Sequence, residues 1–116
     1  MNSDLFIKSL YQSLIKEDGE IYQDLFLNTE INEVIDSYWK DALKMFSELS
    51  VENKEVLFKI IEQVKVESIA NVLGVLDGVV SLQGQDIDIN MTIEGSDEKV
   101  NGDLQDLFFE TDEENR

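Results

Sequence analysis

Asp86-Ile87-Asp88-Ile89-Asn90-Met91-Thr92-Ile93-Glu94 alternates polar and apolar residues without a miss, and the fold class turns on how that stretch is read. A β-strand sends successive side chains to opposite faces, so this pattern predicts a half-buried strand. Gly95-Ser96-Asp97-Glu98 follows with turn chemistry, and Lys99-Val100-Asn101 can return as a short second strand. The expectation is a small antiparallel β hairpin near residues 85–101.

Upstream, the apolar period changes to that of helices. Leu5, Phe6, Leu10, Leu14 and Ile15 share one helical face, with Ser3 as the expected N-cap and Asp4 in the first turn. Lys16-Glu17-Asp18-Gly19 reads as a stop with Gly19 just past the end, and Ile21, Tyr22, Leu25 and Phe26 as a further short helix. Asn28 or Thr29 is expected to cap a helix running to about Leu49. Its stripe is Ile31, Val34, Ile35, Tyr38, Ala42, Met45 and Phe46, with Trp39 and Leu43 at the margin. A third helical region runs from about Asn53 through Val80, with Val56, Leu57, Ile60, Ile61 and Val64 as one stripe and Ile69, Val72, Leu73, Leu76 and Val80 as another. Ser68 is a candidate cap where Val66-Glu67-Ser68 divides it. Gly74 and Gly78 lie one turn apart on this region and predict close packing or a helix end. Beyond the hairpin, Leu104, Leu107 and Phe108 predict a helix from Asp103 to about Glu110, and 111–116 reads as a frayed acidic tail.

The fold class expected from these patterns is α+β, with three to four helices packed on a small antiparallel β hairpin near the C-terminus. The 116 residues, 42% hydrophobic and 30% charged, suit a single domain, 1–116. No apolar run approaches the roughly 20 residues of a membrane span, and Met1-Asn2-Ser3-Asp4 lacks the basic and apolar regions of a signal peptide, so the expected location is cytoplasmic.

Histidine and cysteine are both absent, which removes the usual general base, the usual thiol nucleophile and the commonest transition-metal ligands. No enzyme, no catalytic residue and no cofactor is expected. Asp86-x-Asp88-x-Asn90 fits the first ligand positions of a calcium-binding loop. Met91 then stands where that loop needs glycine, and Asp97 where it needs a bidentate Glu, so no metal is expected.

Charge is the more informative feature. The chain carries 26 acids and 9 bases, a net −17. Residues 1–82 hold 15 acids and 7 bases, whereas 83–116 hold 11 acids and 2 bases, so half the excess sits in under a third of the chain. Such a surface repels nucleic acid and anionic membranes and attracts basic proteins. On the expected strand, Asp86, Asp88, Asn90, Thr92 and Glu94 face away from the isoleucines with about 6.6 Å between successive side chains. An anionic row of this kind serves either solubility or docking of a cationic partner. The residues expected to meet such a partner are Asp86, Asp88, Glu94, Asp97, Glu98, Asp103, Asp106, Phe109 and Glu110, with Trp39 and Tyr38 as further aromatic anchor candidates.

Phe58-Lys59-Ile60-Ile61-Glu62-Gln63-Val64, Val72-Leu73-Gly74-Val75-Leu76-Asp77-Gly78-Val79 and Val100-Asn101-Gly102-Asp103-Leu104-Gln105-Asp106-Leu107-Phe108 together resemble a poorly characterised family of small acidic bacterial proteins encoded beside polymorphic toxins as immunity proteins. The resemblance covers about residues 38–110. It implies a cognate inhibitor that binds and neutralises a bacterial toxin domain, with no residue role carried over. The alternative is a non-catalytic structural or adaptor protein, homodimeric in one form, whose acidity serves only solubility.

Overall fold

The structure, a computed structural model, describes residues 1–116 and is all-helical. Two helical rods of similar length form its spine. The first combines α1 (Ser3–Tyr11), a π-helical segment (Gln12–Glu17) and α2 (Asp18–Asn28); the second is α4 (Val51–Leu76). They run antiparallel, since Lys16 pairs with Glu62 while Phe26 lies against Phe58. A short 3₁₀ turn (Ile31–Glu33) leads to α3 (Ser37–Ser47), which covers one end of the rods, and α5 (Leu104–Glu114) covers the other. No helix is long and apolar enough to cross a membrane.

Each end has its own core. Ile7, Tyr11 and Ile15 from the first rod, Val66, Ala70 and Leu73 from α4, and Leu104 and Phe108 from α5 make the larger one. Phe26, Leu43 and Phe46 make the smaller, an aromatic cluster in which Phe26 lies 5.1 Å from Phe46, 5.9 Å from Trp39 and 6.1 Å from Phe58 between ring centroids. Spreading burial over two small cores gives a long molecule, 51 × 31 × 26 Å, with a radius of gyration of 17.8 Å where about 13 Å is usual for this length.

The expected β hairpin is absent, and the fold class is all-α, not α+β. Between α4 and α5 the chain forms no named strand. Its only pairings are isolated bridges, Leu82 with Gln85 and Thr92 with Lys99. From residue 88 on, the two faces nonetheless follow the alternation, whereas Ile87 is exposed. Ile89, Met91 and Ile93 are half-buried, while Asp88, Asn90, Thr92 and Glu94 are exposed. Asn101 does the work that a neighbouring strand would do. Its side-chain amide donates to the carbonyls of Ile89 (2.6 Å) and Leu76 (2.5 Å), and its Oδ1 accepts from the N–H of Met91 (2.9 Å). Together with the backbone bond from the Val100 N–H to the Met91 carbonyl at 2.9 Å, this one buried side chain satisfies much of a segment that has no sheet to join.

Helix boundaries differ from expectation at several places. Asn2, not Ser3, caps α1, accepting from the N–H of Leu5 at 2.8 Å; the Ser3 hydroxyl instead donates to the carbonyl of Val100. Gly19 does not stop the first rod. The π segment widens the helix just before it and α2 continues, which lets the rod serve both cores in turn. Asn28 and Thr29 end a helix where they were expected to start one, and α3 begins only after Asp36, whose carboxylate accepts from the N–H of Tyr38. Ser50 caps α4, which passes Ser68 unbroken. Its end is a Schellman motif: Gly78 has φ +79°, its N–H donates to the carbonyl of Val75, and the N–H of Val79 donates to that of Gly74. Residues 111–114 are not a frayed tail, because α5 runs to Glu114 and buries Thr111 and Asp112.

Candidate functional site

The acidic surface is built on residues 77–103 and on α5. Asp77, the last residue of the α4 cap, fixes the start of α5: its Oδ1 accepts from the N–H groups of Gly102 (2.6 Å) and Leu104 (3.1 Å), and its Oδ2 from Gln105 (2.8 Å). A carboxylate at a helix N-terminus meets both free N–H donors and the positive end of the helix dipole. Gln105 then reaches back to α4, donating from Nε2 to the carbonyl of Ala70 at 3.0 Å. Gly74 makes room for this arrangement, since a Cβ there would lie 2.7 Å from Gln105 Nε2 and 2.6 Å from Val80 Cγ2.

All nine residues expected to meet a partner are exposed. Asp86 and Asp88 lie on the extended segment, where Asp86 accepts from the Ser81 hydroxyl at 2.7 Å. Glu94, Asp97 and Glu98 lie on the turn that the Thr92–Lys99 bridge closes. Asp103, Asp106 and Glu110 recur along the outer side of α5, with Phe109 between them at 42% exposure. The regular row of a strand edge is lost with the strand, so these acids form a loop-and-helix surface and not a ladder. Their charge is unneutralised: the molecule has three ion pairs, Lys8–Asp4, Lys16–Glu62 and Arg116–Asp112, and none involves these positions. The stretch 86–90 belongs to no helix or strand.

Of the aromatic anchor candidates, Trp39 packs on Tyr22 and Phe26 in the smaller core. Tyr38 is exposed, but it sits on α3 in the half of the molecule away from the acids. Phe109 alone stands among them.

The buried polar group at this end is structural. The Tyr11 hydroxyl donates to Asp112 Oδ1 at 2.8 Å, and Arg116 donates from Nε to Oδ2 at 2.9 Å. Burial, and then the hydrogen bond to Asp112, push the Tyr11 phenol well above its ordinary range. Burial also pushes up the Tyr22 phenol in the smaller core.

Sequence reasoning missed a second exposed surface. Val56, Ile60 and Val64 were expected in one buried stripe with Leu57 and Ile61, but only the latter pair packs against the smaller core. The signal was the width of that apolar run, since six apolar positions in the nine residues 56–64 are more than one neighbouring helix covers.

No protein-family model, no curated protein and no solved structure matches the chain.

Proposed function

We propose that this chain is a non-catalytic binding protein: a cytoplasmic inhibitor of the immunity type that neutralises a basic toxin domain by covering its active site or substrate groove with the acidic surface of residues 86–110. The observation that carries the reading is the concentration of exposed, unpaired carboxylates on a loop and helix anchored by Asp77 and Asn101. Enzymes that act on anionic polymers present basic grooves, and a carboxylate surface competes for the same ground. Phe109 supplies an apolar contact within the acidic field, as a tight interface requires at its centre. The resemblance of residues 38–110 to immunity proteins supports the same role.

Reversing three charges, Asp86→Lys, Asp88→Lys and Asp106→Lys, tests this in a binding-kinetics experiment with the cognate basic domain. The association rate is expected to fall by about 10- to 100-fold at low salt, with dissociation changed less. An affinity unchanged at low salt removes the docking surface.

A further inference from the structure

The flank of α4 faces solvent with apolar side chains that neither core uses. Val56, Ile60 and Val64 recur every four residues and are 48%, 55% and 56% exposed. Ile21 of α2, 66% exposed, stands across a shallow groove that it lines with Ile60 and Val64. The whole molecule is short of cover. A monomer of 13.3 kDa exposes about 6,500 Å² on the usual scaling with mass, and this one exposes 8206 Å². The excess of about 1,700 Å² is roughly twice what one partner contributes to a standard protein interface.

Charge decides what covers it. α4 holds four acids and three bases, net −1, in a chain of net −17. A cationic partner gains nothing there and is drawn instead to residues 77–116, which hold 12 acids and 2 bases. A second copy of the chain is repelled less along α4 than elsewhere, although Asp18, Glu20 and Asp24 of α2 stand beside the groove. The groove also carries one charge of each sign, Asp18 and Lys65, which form no ion pair with each other. In a two-fold pairing, any contact between Asp18 of one copy and Lys65 of the other is made twice.

We propose that two copies of this chain pack α4 against α4 about a two-fold axis, with Ile21 of each in the groove of the other. Asp18 of one copy then faces Lys65 of the partner subunit, twice over. The dimer leaves both acidic surfaces free and does not rest on the inhibitor reading.

Sedimentation equilibrium of the full chain at micromolar concentration is the test, with far-UV circular dichroism to confirm that every variant folds. The wild type is expected at twice 13.3 kDa. Ile60→Lys with Val64→Lys, at positions already exposed in one copy, is expected to raise the dissociation constant by at least about 100-fold, since each change is counted twice. Asp18→Lys alone is expected to weaken the dimer by about tenfold, and adding Lys65→Asp to restore it. A monomer mass for the wild type overturns the proposal. So does a dimer indifferent to the apolar double variant, or one that the charge swap fails to restore. The triple reversal of Asp86, Asp88 and Asp106 is expected to remain dimeric, so failure of the acidic surface and failure of the dimer read out separately.

Discussion

Replacing Asn101 by alanine removes three hydrogen bonds at once and offers nothing in return. The side chain is 7% exposed, and the Leu76 carbonyl, the Ile89 carbonyl and the Met91 N–H all lose their partner. Each stranded buried backbone group costs about 1–3 kcal/mol; all three belong to half-buried residues, so the total expected is about 3 kcal/mol. A loss of that size is a large share of the stability of a small domain and lowers the melting temperature by about 10 °C. Urea denaturation followed by circular dichroism measures it directly. Asn101→Asp sharpens the test, because it keeps the acceptor for Met91 but turns a second oxygen toward two carbonyls. At neutral pH it should be at least as destabilised as Asn101→Ala. The carbonyls raise the new carboxyl's folded pKa above its unfolded value, so stability should recover as pH falls, when the protonated group can donate. An Asn101→Ala variant within about 0.5 kcal/mol of wild type would refute the idea that one side chain stands in for a missing strand.

Other outcomes follow from the same packing. Tyr11→Phe leaves Asp112 Oδ1 without its donor and should cost about 1–2 kcal/mol in thermal or urea unfolding. The Tyr11 phenol is raised in the fold, so its contribution is complete below the ordinary tyrosine pKa of about 10 and is lost as pH climbs beyond it; the phenylalanine variant should show the shallower alkaline decline. Gly74→Ala should destabilise by about 1–3 kcal/mol even though alanine favours helix, because its methyl collides with Val80 and displaces Gln105. Gly19→Ala should instead stabilise by about 0.5–1 kcal/mol, since nothing lies within 4 Å of the new Cβ and the backbone there is helical; destabilisation would mean that the rod does end at Gly19.

The helical regions were legible in part because periodicity reports burial on one face: α4 and α5 overlap the expected regions, but α4 ends at Leu76 short of Val80, α5 runs on to Glu114, and Val56, Ile60, Val64 and Val72 of the expected stripes are exposed. The alternation in 86–94 was sound as a statement about faces from residue 88 on, where Ile89, Met91 and Ile93 turn inward, but not at Ile87, which is exposed. Alternation does not report whether a second strand lies alongside, and here Asn101, fifteen residues from Asp86 in sequence, takes that place. Gly19 misled because glycine after a charged run is the usual mark of a helix end, and a π segment leaves no comparable mark. Asp112 looked like part of a solvated tail because its buried partner, Tyr11, is met only when α5 docks on α1. The candidate acids were legible as exposed charge. Their arrangement was not, because it depends on Asp77 and Asn101, which bond to backbone groups far along the chain.

The central claim, that carboxylates on the 86–110 surface recognise a basic toxin domain, is tested most directly by protection of growth. Cells expressing the toxin domain would carry either the wild-type chain or a variant with Asp86→Asn, Asp88→Asn, Asp97→Asn, Glu98→Gln and Glu110→Gln. Wild type should protect and the neutralised variant, folded and equally abundant, should not. Equal protection by both would contradict the account.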